Sequence, residues 1–129
     1  GRAVTMQING NHHPEWLFDR VPSIGHKWSV QVQDRRGTLA YWHHPVFSSG
    51  PHGSNPHMSE LLKLLHAARA EIVLVGHDHI YERFVPQDAA GNADPERGVR
   101  FLTLGTGGAR LYSLRTPKPN STRRSYRRL

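Results

Sequence analysis

The 129-residue sequence contains no cysteine. That excludes disulfides, zinc ribbons and thiol chemistry, and leaves only nitrogen and oxygen donors for a metal. It does not fix the compartment, because secreted proteins without disulfides exist. No apolar run approaches the roughly 20 residues of a membrane-spanning helix. Nor does a signal-like apolar segment follow Gly1-Arg2-Ala3-Val4-Thr5. Acids are missing from one end: residues 115–129 carry Arg115, Lys118, Arg123, Arg124, Arg127 and Arg128 and no Asp or Glu. Six of the seven net positive charges therefore sit in that stretch, and the body is nearly neutral. Its Pro, Ser and Arg content reads as a basic, flexible tail. Only Tyr126 interrupts the arginines as a stacking group, which argues against nucleic acid as a partner. Salt-dependent binding of nucleic acid or another acidic surface stays open as an alternative role.

What the chain does have is histidine, ten in all. Two of them follow a short apolar, β-branched run, Ile72-Val73-Leu74-Val75, which reads as a strand buried on both faces. Gly76 punctuates it, and His77-Asp78-His79 comes next. On an extended backbone residues i and i+2 point the same way, so His77 and His79 are expected to face one point beyond the strand end, with Asp78 turned away. Neutral imidazole is the commonest protein metal ligand, and open α/β sheets bind ligands outside the carboxyl ends of their strands. A solvated loop would also accommodate two nearby histidines.

Upstream, Thr38-Leu39-Ala40-Tyr41-Trp42 reads as a buried strand running into His43-His44-Pro45. Adjacent side chains on an extended chain diverge, so only one of His43 and His44 is expected to reach a given metal; periodicity does not say which. The Gly/Pro/Ser-rich loop 46–56 carries His52, a binding-loop histidine or a merely exposed one. Asn55 and Pro56 open a helix as N-cap and first residue, and Met58, Leu61, Leu62, Leu65 and Ala68 share one face. Strand, helix and strand together make a βαβ unit, whose right-handed crossover sets the two strands parallel. His43, His77 and His79 then lie at one sheet edge.

Other strands are expected over 4–8, 28–33 and 99–104, with a short one over 111–114. Between them, 86–98 reads as a surface loop. Gly105-Thr106-Gly107-Gly108 is a turn, or a place where backbone closely approaches a ligand. The organisation is therefore a poorly readable segment 1–37, a body 38–114 and the basic tail 115–129.

Tyr41-Trp42-His43-His44-Pro45-Val46-Phe47 and Gly76-His77-Asp78-His79-Ile80-Tyr81-Glu82-Arg83 resemble the last two motifs of the calcineurin-like metallophosphoesterases, and more closely the purple acid phosphatase branch. The resemblance covers about residues 38–113. It implies an α/β fold, part of an αββα sandwich with a mixed sheet and a flanking helix, here incomplete at the N-terminus. It implies a phosphoric ester hydrolase of the acid phosphatase or phosphodiesterase type, working on a phosphoester substrate at a binuclear metal site. By the resemblance His43 and His77 would bind the divalent ion (Fe, Zn or Mn), and His79 the other, iron. His52 would contact substrate phosphate and act catalytically. His44 would stand behind the ligands, and Glu82 and Arg83 would brace the histidine loop through ion pairs or hydrogen bonds.

The departures matter too. The family's earlier motifs supply aspartates from Gly-Asp segments and, in this branch, a tyrosine; this chain has no Gly-Asp dipeptide. Gly10-Asn11-His12 resembles the opening of a Gly-Asn-His-Glu motif, which gives an Asn ligand and a catalytic His, but His13-Pro14 follows. Three neutral imidazoles offset none of the charge of two metal ions. The chain alone is therefore expected to be a weak catalyst, and a non-catalytic metal-binding remnant is the competing reading.

Overall fold

The structure is a computed structural model. It describes residues 3–8 and 28–33 as backbone strands and residues 38–125 in full. Gly10-Asn11-His12, the segments 21–25 and 34–37, and Tyr126 lie outside the described residues.

Seven strands form one sheet: β1 Ala3–Ile8, β2 Trp28–Gln33, β3 Leu39–Tyr41, β4 Ile72–Val75, β5 Tyr81–Phe84, β6 Arg100–Leu104 and β7 Ser121–Ser125. Their order is β1-β2-β3-β4-β6-β5-β7. The centre is parallel, with Ala40 beside Val73 and Val73 beside Phe101. Both wings are antiparallel. The sheet is mixed, as expected.

The expected βαβ unit is present. Asn55 caps the turn Pro56–Met58, its side-chain oxygen accepting from the His57 amide at 3.1 Å. Helix α1, Ser59–Ala67, continues from it. Met58, Leu61, Leu62 and Leu65 are buried against Ala40, Val73, Val75 and Phe101, the face the apolar spacing selects. Each fully buried leucine contributes about 1.5–3 kcal/mol of transfer free energy. His66 sits at the edge of this stripe and bonds Asp94 at 3.1 Å.

Three expectations fail. β4 is buried on one face only: Val73 and Val75 point at α1, whereas Ile72 is 38% exposed on the far side, as are Tyr41 and Leu104 to a similar degree. No described helix packs on that face. Residues 111–114 form no strand. The last strand is instead β7, inside the stretch that composition reads as a flexible tail. It contains no apolar residue and is held by its ladder to β5 and by Ser121, whose hydroxyl donates to the buried Glu82 at 2.6 Å.

Candidate functional site

β3 and β4 are parallel, so their carboxyl ends lie side by side. The Gly76 amide donates to the His43 carbonyl at 3.0 Å and ties the two exits together. His43 and His77 meet there, His43 Nε2 lying 3.1 Å from His77 Nδ1. His44 joins them, its ring centroid 4.3 Å from that of His77. One ring nitrogen from each of the three falls within 4.8 Å of the others. His44 is therefore beside the other two rather than behind them. The cause is local: the strand ends at Tyr41, and bends replace the extended backbone on which neighbouring side chains diverge.

His79 does not join this group. His77 has φ +63°, the left-handed region. Amide-to-carbonyl bonds Asp78→Gly76 and Ile80→Asp78, both 2.8 Å, coil the segment tightly. The coil swings the two outward side chains apart, so that His77 meets His43 and His79 turns toward the loop after β6. It stacks on Tyr112, with centroids 4.2 Å apart and planes 15° apart. Its Nδ1–H donates to the Arg110 carbonyl at 2.8 Å, which leaves Nε2 as its free donor atom.

His52 reaches the cluster from its loop, its ring 4.3 Å from that of His77 and 5.3 Å from Tyr112. Asp78 holds it there. This carboxylate is fully buried. It accepts from the His52 amide at 3.1 Å and from His52 Nδ1–H at 2.8 Å, and also from the Ser48 hydroxyl. Spacing correctly turned Asp78 away from its flanking histidines, but gave no sign that it orients His52. Gly50 makes the approach possible: a Cβ there would lie 2.3 Å from Asp78 Cγ. Gly105 packs as closely on the Asp78 backbone, so its turn is a backbone-contact point.

Glu82 is likewise buried. It accepts from the Ser49 amide at 2.8 Å and from the Ser49 and Ser121 hydroxyls, and so braces the His52 loop rather than an ion pair. Arg83 lies away from the histidines, opposite Arg123 of β7, and its Nε has no hydrogen-bond partner among the described residues. Ser48, Ser49, Ser121 and Tyr112 were not singled out from sequence; serines in a polar loop carry no distinguishing pattern.

Burial, reinforced by the neighbouring His52, His43 and His79 rings, lowers the pKa of His77 below the ordinary imidazole value against the opposing charge of Asp78. The ring is thus biased to the neutral form that binds metals. Two nitrogens on a tetrahedral ion at 2.0–2.1 Å stand roughly 3.3 Å apart. The His43–His77 separation of 3.1 Å is close to that bite, and a His44 ring nitrogen lies within 4.8 Å of both. No carboxylate belongs to this cluster among the described residues.

A mixed sheet with histidines gathered at the ends of adjacent parallel strands is the arrangement of a calcineurin-like phosphoesterase. No protein-family model matches the chain. It is 37% identical over 101 residues to purple acid phosphatase 21 of Arabidopsis thaliana, a match covering 73% of this chain and 23% of that protein. The chain thus spans about a quarter of the length of this curated relative. Its fold is similar to that of a purple acid phosphatase from yellow lupin (Lupinus luteus) seeds, with a TM-score of 0.61 and 20% identity over 68% of this chain and 18% of that one. It is also similar to GAP50, the anchor in the inner membrane complex of Plasmodium, with a TM-score of 0.58 and 11% identity over 98% of this chain and 44% of that one. The chain is a calcineurin-like phosphoesterase segment of the purple acid phosphatase type.

Proposed function

We propose that this chain supplies the histidine side of a metal-dependent phosphoester hydrolase. The observation that carries the reading is the gathering of His43, His44 and His77, one ring nitrogen from each within 4.8 Å of the others, with His43 Nε2 and His77 Nδ1 in hydrogen-bond contact at 3.1 Å. His43, His44 and His77 hold one metal. His79, with Nε2 left over, is positioned apart from them to serve a second. An all-imidazole set suits zinc or iron better than magnesium or calcium. A bound metal polarises a phosphoryl oxygen and stabilises charge developing on it.

The chain's own residues do the rest. Asp78 fixes His52 with Nδ1 protonated, so Nε2 faces away from the carboxylate as the atom that exchanges a proton with the leaving-group oxygen. Such general acid catalysis contributes about 10²–10⁴-fold. Glu82 and Ser49 keep the His52 loop in place from below.

The test is metal content per chain after zinc or iron loading, for wild type and His77→Ala, alongside hydrolysis of p-nitrophenyl phosphate. About one tightly held ion, lost in His77→Ala, is the expected result. No ion in either protein overturns the reading. The cluster contains no carboxylate among the described residues, which favours a second reading, metal binding without turnover. An ion bound with no hydrolysis by the chain alone selects that one.

A further inference from the structure

Beyond the histidines, the loop after β6 builds a second feature. It is pinned to the site at four points. The Tyr112 amide donates to the His79 carbonyl at 3.0 Å, and His79 Nδ1–H donates to the Arg110 carbonyl. The Arg115 amide donates to the Ser49 carbonyl at 2.8 Å, and the Lys118 amide to the Ser49 hydroxyl at 2.9 Å. The loop thus spans from the His79 turn to the His52 loop. Between those anchors lies an open cleft of about 310 Å³, lined by Pro51, Arg110, Leu111, Tyr112, Ser113 and Arg115. That is the lower end of the size range for small-molecule sites. Pro51 is the neighbour of His52, so the cleft begins where a leaving group would depart.

Its chemistry is one-sided. Two arginines and no acid line the cleft. Neither Arg110 nor Arg115 forms an ion pair among the described residues. No Asp or Glu follows Glu96 anywhere in the sequence. Arginine presents a rigid fork of donors that matches phosphate or carboxylate oxygens two at a time. One arginine serves a carboxylate, with its two oxygens and single charge. Two on one cleft suit a phosphate, which offers three oxygens and close to two charges.

We propose that Arg110 and Arg115 form a subsite for a second phosphate on the substrate, carried by the leaving group beside the scissile one. Only the word substrate rests on the hydrolase reading; the anion site stands on its own residues. The substrate class is then a diphosphate or a bisphosphorylated alcohol rather than a simple monoester.

The test is calorimetric binding of pyrophosphate, orthophosphate and malonate to the 129-residue chain, stripped of metal and held in EDTA. The proteins are wild type, Arg110→Gln/Arg115→Gln, and Arg123→Gln/Arg124→Gln. The last pair removes the same charge from β7, which does not line the cleft. Pyrophosphate should bind wild type at least about tenfold more tightly than malonate, and the cleft variant should lose about tenfold or more. The β7 variant should lose no more than a few-fold. Equal losses in the two variants would overturn the subsite, because net charge alone would then explain binding. Equal affinity for malonate would overturn it as a phosphate site. Because metal is absent throughout, the result is independent of whether His43, His44 and His77 bind an ion; the metal-content experiment decides that separately.

Discussion

Gly50→Ala is the sharpest perturbation available, because its cost follows from distances. A Cβ at Gly50 would sit 2.3 Å from Asp78 Cγ and 2.6 Å from both carboxylate oxygens. Ordinary contact begins at 3.4 Å, so something must move by about 1.1 Å. Asp78 has nowhere to go. It is fully buried, accepts hydrogen bonds from Ser48 and twice from His52, and its own carbonyl is wedged under Gly105. Overpacking of this kind costs about 1–3 kcal/mol. Breaking one or two hydrogen bonds to a buried carboxylate adds about 1.5–3 kcal/mol each. The sum, about 3–5 kcal/mol after allowing for non-additivity, is a large share of a small domain's total stability. Gly53→Ala in the same loop is the control. Its Cβ would meet nothing within 4 Å, and its only penalty is the left-handed φ of +73°, worth about 1–2 kcal/mol. Urea unfolding of both variants, analysed by linear extrapolation, compares them directly. If Gly50→Ala costs no more than Gly53→Ala, the buried Asp78 contact is not what holds the His52 loop.

Other consequences are as specific. Leu62→Ala empties a fully buried site between α1 and the sheet, and should cost about 2–5 kcal/mol in the same assay. Glu82→Gln leaves one oxygen where two accept, and sets an amide NH₂ against a donor from Ser49 or Ser121. Amide hydrogen exchange over Ser121–Ser125 should quicken by about 10–100-fold, while β4 stays protected. The lowered pKa of His77 means the folded chain binds fewer protons than the unfolded chain between that value and the ordinary one. The stability of the metal-free protein should therefore rise with pH through that window, level off above it, and lose this component in His77→Ala. A stability that instead falls with rising pH there would reverse the assignment of burial as the dominant influence on His77.

The elements that decide the site's position were legible, because they rest on strong periodic signals. Asn55-Pro56 followed by a leucine stripe dictates a capped helix, and a helix between two apolar strands dictates a parallel pair. From that alone His43 and His77 had to share an edge. What was not legible follows from backbone shape or from pairings distant in sequence. Nothing in Gly76-His77-Asp78 announces a left-handed histidine, so the distance it opens between the His77 and His79 rings leaves no mark in the spacing. The bend after Tyr41 likewise hid that both His43 and His44 reach His77. β7, with the sequence STRRS, has no apolar residue to mark it. An edge strand needs only a ladder and a hydroxyl placed opposite Glu82, and neither leaves a pattern in composition.

The period-two signal in the histidine motif did survive in another form. From His77 to Glu82, burial alternates strictly: His77, His79 and Tyr81 are half-buried while Asp78, Ile80 and Glu82 are fully buried. The coil at His77 rotates the outward side chains apart, sending His77 to His43 and His79 to Tyr112, without disturbing which residues point inward. Inward, Asp78 and Glu82 grip the same loop from two places, Asp78 through Ser48 and His52 and Glu82 through Ser49. One six-residue stretch therefore carries histidines on its outer side and, on its inner side, the two carboxylates that bring His52 to them. Neutralising either carboxylate should displace His52 before it disturbs the spacing of His43 and His77, which depends on the strand ends and the Gly76 amide. Metal affinity and general acid function are then separable: Asp78→Asn should bind the ion about as well as wild type, and shift the His52 imidazole resonances. A variant that lost both together would mean that the loop and the strand ends form a single cooperative unit.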